Sequence, residues 1–347
     1  MKPKILIAVL NWGLGHATRC IPIIQALQNA GYSCVIASDG GALAFLQEEF
    51  PSLAFEELPA YQITYSSFPN LMMLKMAWQM PKIYRAAKQE KKIIDKIIDK
   101  HHIKLLISDN RLGAYSDKIP SVYITHQLQI LSGITTYFTS KAHAHFYHKF
   151  NQIWVPDLES EPNFSGKLGH LKSPNEKVKY IGLLSRMGGE NLPVQYDILA
   201  ILSGPEPQRS IFEKILLDKL SHLDKKILLV QGKVFPKVKR YKLGNIEVIS
   251  HAGTKELEAF INQSDTIISR SGYTSVMDMA ILQKKVLWVP TPGQTEQKYI
   301  ARHLQKHFGA KYVEQKHFRL IKPSVLASHT KLDYKQRILE LVGELLG

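Results

Sequence analysis

Cysteine is nearly missing from this sequence: of 347 residues only Cys20 and Cys34 are cysteine. One falls in an expected helix and one in an expected strand, so both read as core residues rather than as a disulfide or a metal site, and the compartment reads as the cytoplasm. Long apolar runs are missing too, none approaching the roughly 18 residues of a membrane span. The opening MKPKILIAVLNW sets basic residues before apolar ones, but residues 5–10 are too few for a signal peptide and read as a first strand. There is no zinc-finger spacing, no aromatic RNP-type strand and no long basic arm, which argues against a nucleic-acid partner. No repeat or low-complexity tract interrupts the chain, and a hydrophobic content of 45% argues against disorder. Acid is the scarcer charge, with 30 Asp and Glu against 45 Lys and Arg. That imbalance favours an anionic partner, such as a phosphate-bearing substrate or an acidic lipid surface. The length suits two domains with cores of their own.

What is present is a succession of short apolar segments alternating with helical patterns, as in α/β domains. One stretch organises the rest: DTIISRSGYTSVMDMAILQKKVLWVPTPGQTEQKYIA, residues 265–301. Residues 266–269 read as a buried strand, 271–282 as a helix and 286–289 as the next strand, which makes one βαβ unit. A helix opening on Ser271, Gly272, Tyr273, Thr274 and Ser275 offers unpaired N–H groups, hydroxyls and a positive dipole end, which suit a phosphate. Asp278 stands four residues beyond Thr274, where a carboxylate can accept from the hydroxyls of a ribose. Past the second strand, Gly293, Gln294, Glu296 and Gln297 supply polar groups where a sugar can lie.

This run resembles the nucleotide-sugar half of the glycosyltransferases built from two Rossmann domains (GT-B), especially the bacterial family that adds N-acetylglucosamine to the peptidoglycan lipid precursor. The family pattern is Ser-Arg-x-Gly, then an acidic residue on the helix, then a Pro-rich turn leading to a polar pair that holds the donor sugar. Ser269, Arg270, Gly272, Asp278, Pro290, Pro292, Glu296 and Gln297 match it, while Asp278 departs from it in being Asp where Glu is usual. The resemblance implies an α/β protein of two Rossmann-like domains facing each other across a cleft, with a UDP-sugar donor in the C-terminal domain and its base held by the backbone of residues 249–252. Metal-using enzymes of this chemistry commonly present an Asp-x-Asp pair. None occurs here, and the resemblance implies transfer without metal or cofactor.

Near the start, residues 4–10 read as a strand, 11–16 as a Gly-rich turn, 17–30 as a helix closed by Gly31, and 33–38 as a second strand. Gly13, Gly15 and Thr18 imitate G-x-G-x-x-G, and Asp39 falls where a dinucleotide enzyme carries its ribose acid, so NAD(P) binding is a rival reading. Against it, Thr18 replaces the third Gly and nothing downstream looks like a dehydrogenase substrate site. Asn-x-Gly-x-Gly-His-x-x-Arg is instead similar to the first loop of the same glycosyltransferases, in which the turn ends in a His facing the cleft. The matching positions are Asn11, Gly13, Gly15, His16 and Arg19. His16 is the candidate general base, because imidazole titrates nearest neutral pH; capping the next helix is its structural alternative. Strands over 105–108 and 122–125 end in Asp109-Asn110-Arg111 and His126-Gln127, which makes Asp109 and His126 acceptor-side candidates.

His143, His145 and His148 invite a metal, but they sit on a polar helical pattern with no carboxylate beside them. The loop over residues 59–69 is long enough to bind something. Residues 71–80 are rich in Leu, Met and Trp, and Pro81 opens a helix toward Lys104 with eight Lys or Arg against three acids. A solvated helix is the plain reading of that segment. Docking on an anionic membrane is the sharper one, and it would suit a lipid-linked acceptor.

The expected division is a first domain over residues 1–182, a linker over 183–195, a second domain over 196–330, and a last amphipathic helix in 331–347 that, by the resemblance, packs back on the first domain. At the start of the second domain Ser203, Gly204 and Arg209 follow a strand and can face a diphosphate. The expected activity is inverting, metal-independent transfer of a hexose-type sugar from a nucleotide to a hydroxyl of a lipid or polysaccharide acceptor, at the inner face of the membrane. A nucleotide-sugar epimerase of the same architecture and a non-catalytic nucleotide-sugar binder are the alternatives.

Overall fold

The computed structural model describes residues 2–61, 72–129, 147–171, 173, 176–233, 235, 237–326 and 333–347, with the backbone alone for 72–81 and 83. Most of the loop over 59–69, the side chains of 71–80, and His143 and His145 lie outside the described residues. The chain divides into two compact units, Met1–Ser185 with Thr330–Gly347, and Arg186–His329.

The first unit opens with β1 (Lys4–Val9), α1 (Leu14–Asn29), β2 (Ser33–Ser38), α2 (Gly40–Glu49), β3 (Ala54–Glu57) and α3 (Met72–His101). It continues with β4 (Ile103–Asp109), β5 (Ser121–Ile124), β6 (Gln152–Val155) and β7 (Val178–Tyr180). These strands form one parallel sheet in the order β3-β2-β1-β4-β5-β6-β7. Helices cover both faces, so β1 and β2 read as continuous apolar runs rather than alternating ones. Ile94, Ile97 and Ile98 of α3 pack on Leu6, Ala8, Val35 and Leu106 of the sheet. The order reverses between β1 and β4, and in such sheets ligands settle beyond the carboxyl ends of that pair.

Two details differ from expectation here. Gly13 takes φ 81°, which lets the chain double back at once, so α1 starts at Leu14 and His16 sits in its first turn instead of the preceding loop. The basic helix begins at Met72, nine residues before Pro81, so the proline lies inside it.

The second unit runs β8 (Tyr196–Ile201), α4 (Gln208–Leu220), β9 (Ile227–Val230), β10 (Arg240–Leu243), β11 (Ile246–Ile249), α5 (Thr254–Asn262) and β12 (Ser264–Ser269). It closes with α6 (Tyr273–Ile281), β13 (Lys285–Trp288), α7 (Thr295–Phe308), β14 (Lys311–Tyr312) and β15 (Ser324–Val325). Its sheet has the order β10-β11-β9-β8-β12-β13-β14, with β15 also pairing β13, and its reversal falls between β8 and β12. Phe212, Leu216 and Leu220 of α4 pack on Ile198, Ala200, Leu229 and Val248. The last helix, α8 (Tyr334–Leu346), belongs to the first unit, where it lies on α1 and buries Ile338, Leu341 and Val342. Among the described residues, no helix is long and apolar enough to cross a membrane.

Candidate active site

In the first unit Val9 lies opposite Asp109, so β1 and β4 end side by side, with β5 ending next to β4. The side chains of α1's first turns and of the residue pair after β5 meet there. Asp109 is fully buried and is gripped by Arg19, itself 2% exposed, through Nε to Oδ2 and Nη2 to Oδ1. His16 Nδ1 lies 2.7 Å from Asp109 Oδ1, and Arg19 Nη1 donates to His126 Nδ1 at 3.0 Å. These contacts fix the proton positions. A guanidinium only donates, so the Nδ1 of His126 that faces it is an acceptor and the proton of the neutral ring sits on Nε2. His16 Nδ1 also stands 3.0 Å from Arg19 Nη2, but a lone pair held 2.7 Å from a carboxylate oxygen would be repelled. Nδ1 therefore carries the hydrogen and donates to Asp109, leaving the Nε2 lone pair on a ring that keeps 15% of its surface exposed.

The charges follow from the same packing. Burial lowers the His16 pKa and outweighs the pull of Asp109, so the imidazole is neutral at pH 7. Burial alone would raise Asp109, but Arg19 and His16 together hold it well below the usual carboxylate range. Breaking such a buried pair leaves one charge stranded and costs about 3–5 kcal/mol. Arg19 is thus a positioning residue: it keeps Asp109 ionised and sets the tautomer of His126. Gly13 and Gly15 lie exposed beside the cluster.

A second buried network supports this loop from behind. Arg111, fully buried, donates to Glu90 Oε1, to Asp39 Oδ1 at 2.6 Å, and to the Val9 and Pro59 carbonyls. Asp39 also accepts from Asn11 Nδ2 at 3.1 Å, while Asn11 Oδ1 accepts from the Ala42 N–H at 3.2 Å. Asn11, which matches the family's first loop and so was expected on the acceptor side with Gly13, Gly15 and Arg19, has both ends of its amide anchoring the loop. Asp39, the ribose acid of the dinucleotide reading, has its carboxylate committed to Arg111 and Asn11.

In the second unit Ser269 pairs with Ile201, which brings the ends of β8 and β12 together. Ser203 and Gly204 lie exposed after β8. The helix α6 starts two residues later than expected, on Gly272 as N-cap, a residue with no side chain of its own to cap it. Thr274 and Ser275 are half-buried in its first turn, and Asp278, 8% exposed, follows one turn on. Gln294 stands at the N-cap position of α7 without a side-chain cap bond, and Glu296 and Gln297 lie in that helix's first turn.

Several expected contacts point elsewhere. Ser271 is buried and its hydroxyl donates to the Gln297 carbonyl at 2.9 Å. The Gln297 amide accepts from the Thr291 N–H at 2.9 Å and donates to Gln294 Oε1, so it holds the Pro290–Gln294 turn. Arg209, 4% exposed, binds Glu206, Glu213 and the Gln231 carbonyl. Arg270 is fully buried: it donates to the carbonyls of Val289 and Gln208 and to Gln315 Oε1, and stacks 4.2 Å over Phe212. Burial pulls its pKa down to about 10, so it stays charged at neutral pH inside the unit. Arg209 was expected to face a diphosphate and Arg270 to belong to the donor-binding motif, and both side chains are turned into the protein. Thr291, which the sequence reading passes over, lies at this same end of the sheet; its only sequence signal is a small polar residue between two prolines just beyond a strand.

Residues 203–337 match the glycosyltransferase family 28 C-terminal domain. The chain is a glycosyltransferase. It is similar to an uncharacterized glycosyltransferase of Methanosarcina acetivorans, 21% identical over 333 residues that cover 85% of this chain and 81% of the relative. Its fold is shared with the glycotransferase of kitacinnamycin, at a TM-score of 0.64 and 15% identity, covering 99% of this chain and 94% of that one. It is shared as well with MurG of Acinetobacter baumannii, at 0.54 and 13%, covering 99% and 91%. At such identities the likeness establishes the GT-B fold. The family 28 match of this glycosyltransferase spans the Ser203 to Gln297 end, whereas the His16 cluster stands on its geometry.

Proposed function

We propose that this glycosyltransferase moves a hexose-type sugar from UDP to an acceptor hydroxyl with inversion, without metal or cofactor. The observation that supports the reading best is the His16–Asp109 pair, a neutral imidazole with its Nδ1–H fixed and its Nε2 lone pair presented. In the transfer His16 Nε2 takes the hydroxyl proton, the oxygen forms its bond to the anomeric carbon, and the bond to the diphosphate breaks with its electron pair leaving on phosphate. The carbon inverts because attack and departure occur on opposite faces. Asp109 stabilises the imidazolium that forms. The positive dipole end of α6, with Gly204 and Gly272 adding no side chain over the main chain, stabilises the departing diphosphate. Asp278 holds the ribose, and Glu296 with the Gln294–Gln297 turn lies against the sugar.

A lipid-linked acceptor is favoured by α3. Lys82, Arg85, Lys88, Lys92 and Lys96 are exposed along one face and make no ion pair among the described residues, whereas Lys91 and Lys100 are paired. The stripe is about 21 Å long at 1.5 Å per residue. Each such cation near an anionic bilayer adds about 1 kcal/mol of attraction.

A thermal-shift panel of nucleoside diphosphates, their sugars and NAD(P) tests the donor reading. A ligand at 100 times its Kd adds about 2.7 kcal/mol. UDP and UDP-sugars are expected to raise the melting temperature, and a response to NAD(P) alone would overturn the proposal. Incubation with the responding UDP-sugar then separates transfer from epimerisation, since an epimerase alters the donor with no acceptor present.

A further inference from the structure

Thr291 lies between Pro290 and Pro292 just past β13 and is 1% exposed. Its N–H is bonded to Gln297, but its Oγ1 is buried with no hydrogen-bond partner among the described residues. A buried hydroxyl without a partner is unfavourable, and valine would fill the same volume with no such penalty. The hydroxyl has a definite neighbour. A Cβ added at Gly204 would come 3.5 Å from Thr291 Oγ1, and one added at Gly272 would come 3.9 Å from Gln297 Nε2. Gly204, at φ 96°, and Gly272 follow β8 and β12, the two strands between which the sheet order reverses. Thr291 Oγ1 therefore sits beneath bare main chain at Gly204, at an end of the sheet where Arg209 and Arg270 face inward.

We propose that the Thr291 hydroxyl is a ligand of the donor's diphosphate, donating to a phosphate oxygen that settles against Gly204. The inference rests on the donor reading above and adds the residue that recognises phosphate. An anion held this way needs a hydrogen-bond donor rather than a contacting cation, and Thr291 Oγ1 is a donor hydroxyl at this end of the unit that has no partner among the described residues. An internal water is the competing partner for that hydroxyl.

The test is calorimetric titration of UDP and of uridine into wild type, Thr291→Val and Thr291→Ser, with the melting temperature of each ligand-free protein. Thr291→Val is expected to melt at or above wild type, to bind UDP about tenfold or more weakly, and to bind uridine as before. Thr291→Ser, which keeps the hydroxyl, is expected to bind UDP like wild type. The proposal falls if Thr291→Val binds UDP with wild-type affinity, as it would if the hydroxyl only held a water. It falls equally if uridine weakens in step with UDP, or if the ligand-free Thr291→Val protein is destabilised, which would mean that the hydroxyl already has a partner. Failure of the wild-type protein to bind UDP would overturn the donor reading itself, and this proposal with it.

Discussion

At the carboxyl end of the first sheet, His16, Arg19, Asp109 and His126 form one cluster in which two imidazoles are bonded to an ion pair. At the carboxyl end of the second, Ser203, Gly204, Gly272, Thr274 and Ser275 present main chain and hydroxyls, while Arg209 and Arg270 turn inward. The first arrangement suits a proton transfer, because burial and a fixed carboxylate set which nitrogen is basic and keep it neutral. The second suits a charged ligand that must arrive and leave, because dipoles stabilise a diphosphate without the desolvation that a buried ion pair demands. Chemistry and donor binding should therefore respond to different mutations.

The largest expected difference is at His16. His16→Ala should lower turnover by about 10² to 10⁴, far out of proportion to the modest stability lost with its bond to Asp109, as a base would and a helix-capping residue would not. Next comes Asp109→Asn, which strands Arg19 in the interior. It should lose about 3–5 kcal/mol of stability in urea denaturation as well as activity. Asp278→Ala sharpens the contrast from the other side: it should weaken UDP by about 1.5–3 kcal/mol in calorimetry while turnover at saturating donor falls far less than in His16→Ala.

The smallest effect is with pH. Burial holds His16 below its ordinary 6.5, so the base is already free at pH 7 and the pH–rate profile should be flat there, falling only below 6.5. Stability moves with the same sign. The unfolded chain takes up the His16 proton first, so stability is full above 6.5 and declines as pH falls through the lower folded value. A second loss should begin below 3.8, where the unfolded Asp109 protonates while the folded one stays ionised. A rate that kept rising between pH 7 and 8 would mean that a different group is the base.

How much of this could be read from residues alone differs from element to element. The bounds of β2, β11 and α8 follow directly from apolar runs bracketed by breakers. The strands β6 and β10 do not, because one opens on Gln152 with a short apolar run after it and the other is a basic, exposed sheet edge that needs no apolar face. The helix α7 opens on Thr295, Glu296 and Gln297, whose polar run reads equally well as a loop. His16, Arg19, Asp109 and His126 could each be picked out as polar residues beyond strands. That they bond to one another depends on Val9 lying opposite Asp109, and periodicity does not give strand order. Arg209 and Arg270 show the converse limit. Sequence reveals a charge near a strand end, but its direction is decided by packing, here by Glu206 and Glu213 for one and Phe212 with Gln315 for the other.

The division between the two ends is tested most directly by titrating UDP into wild-type and His16→Ala protein and measuring turnover on the same samples. The expected result is the same UDP affinity in both, with turnover lost only in the variant. A variant whose UDP binding weakened in step with its turnover would contradict it, because His16 would then belong to the donor's site rather than to the acceptor's proton.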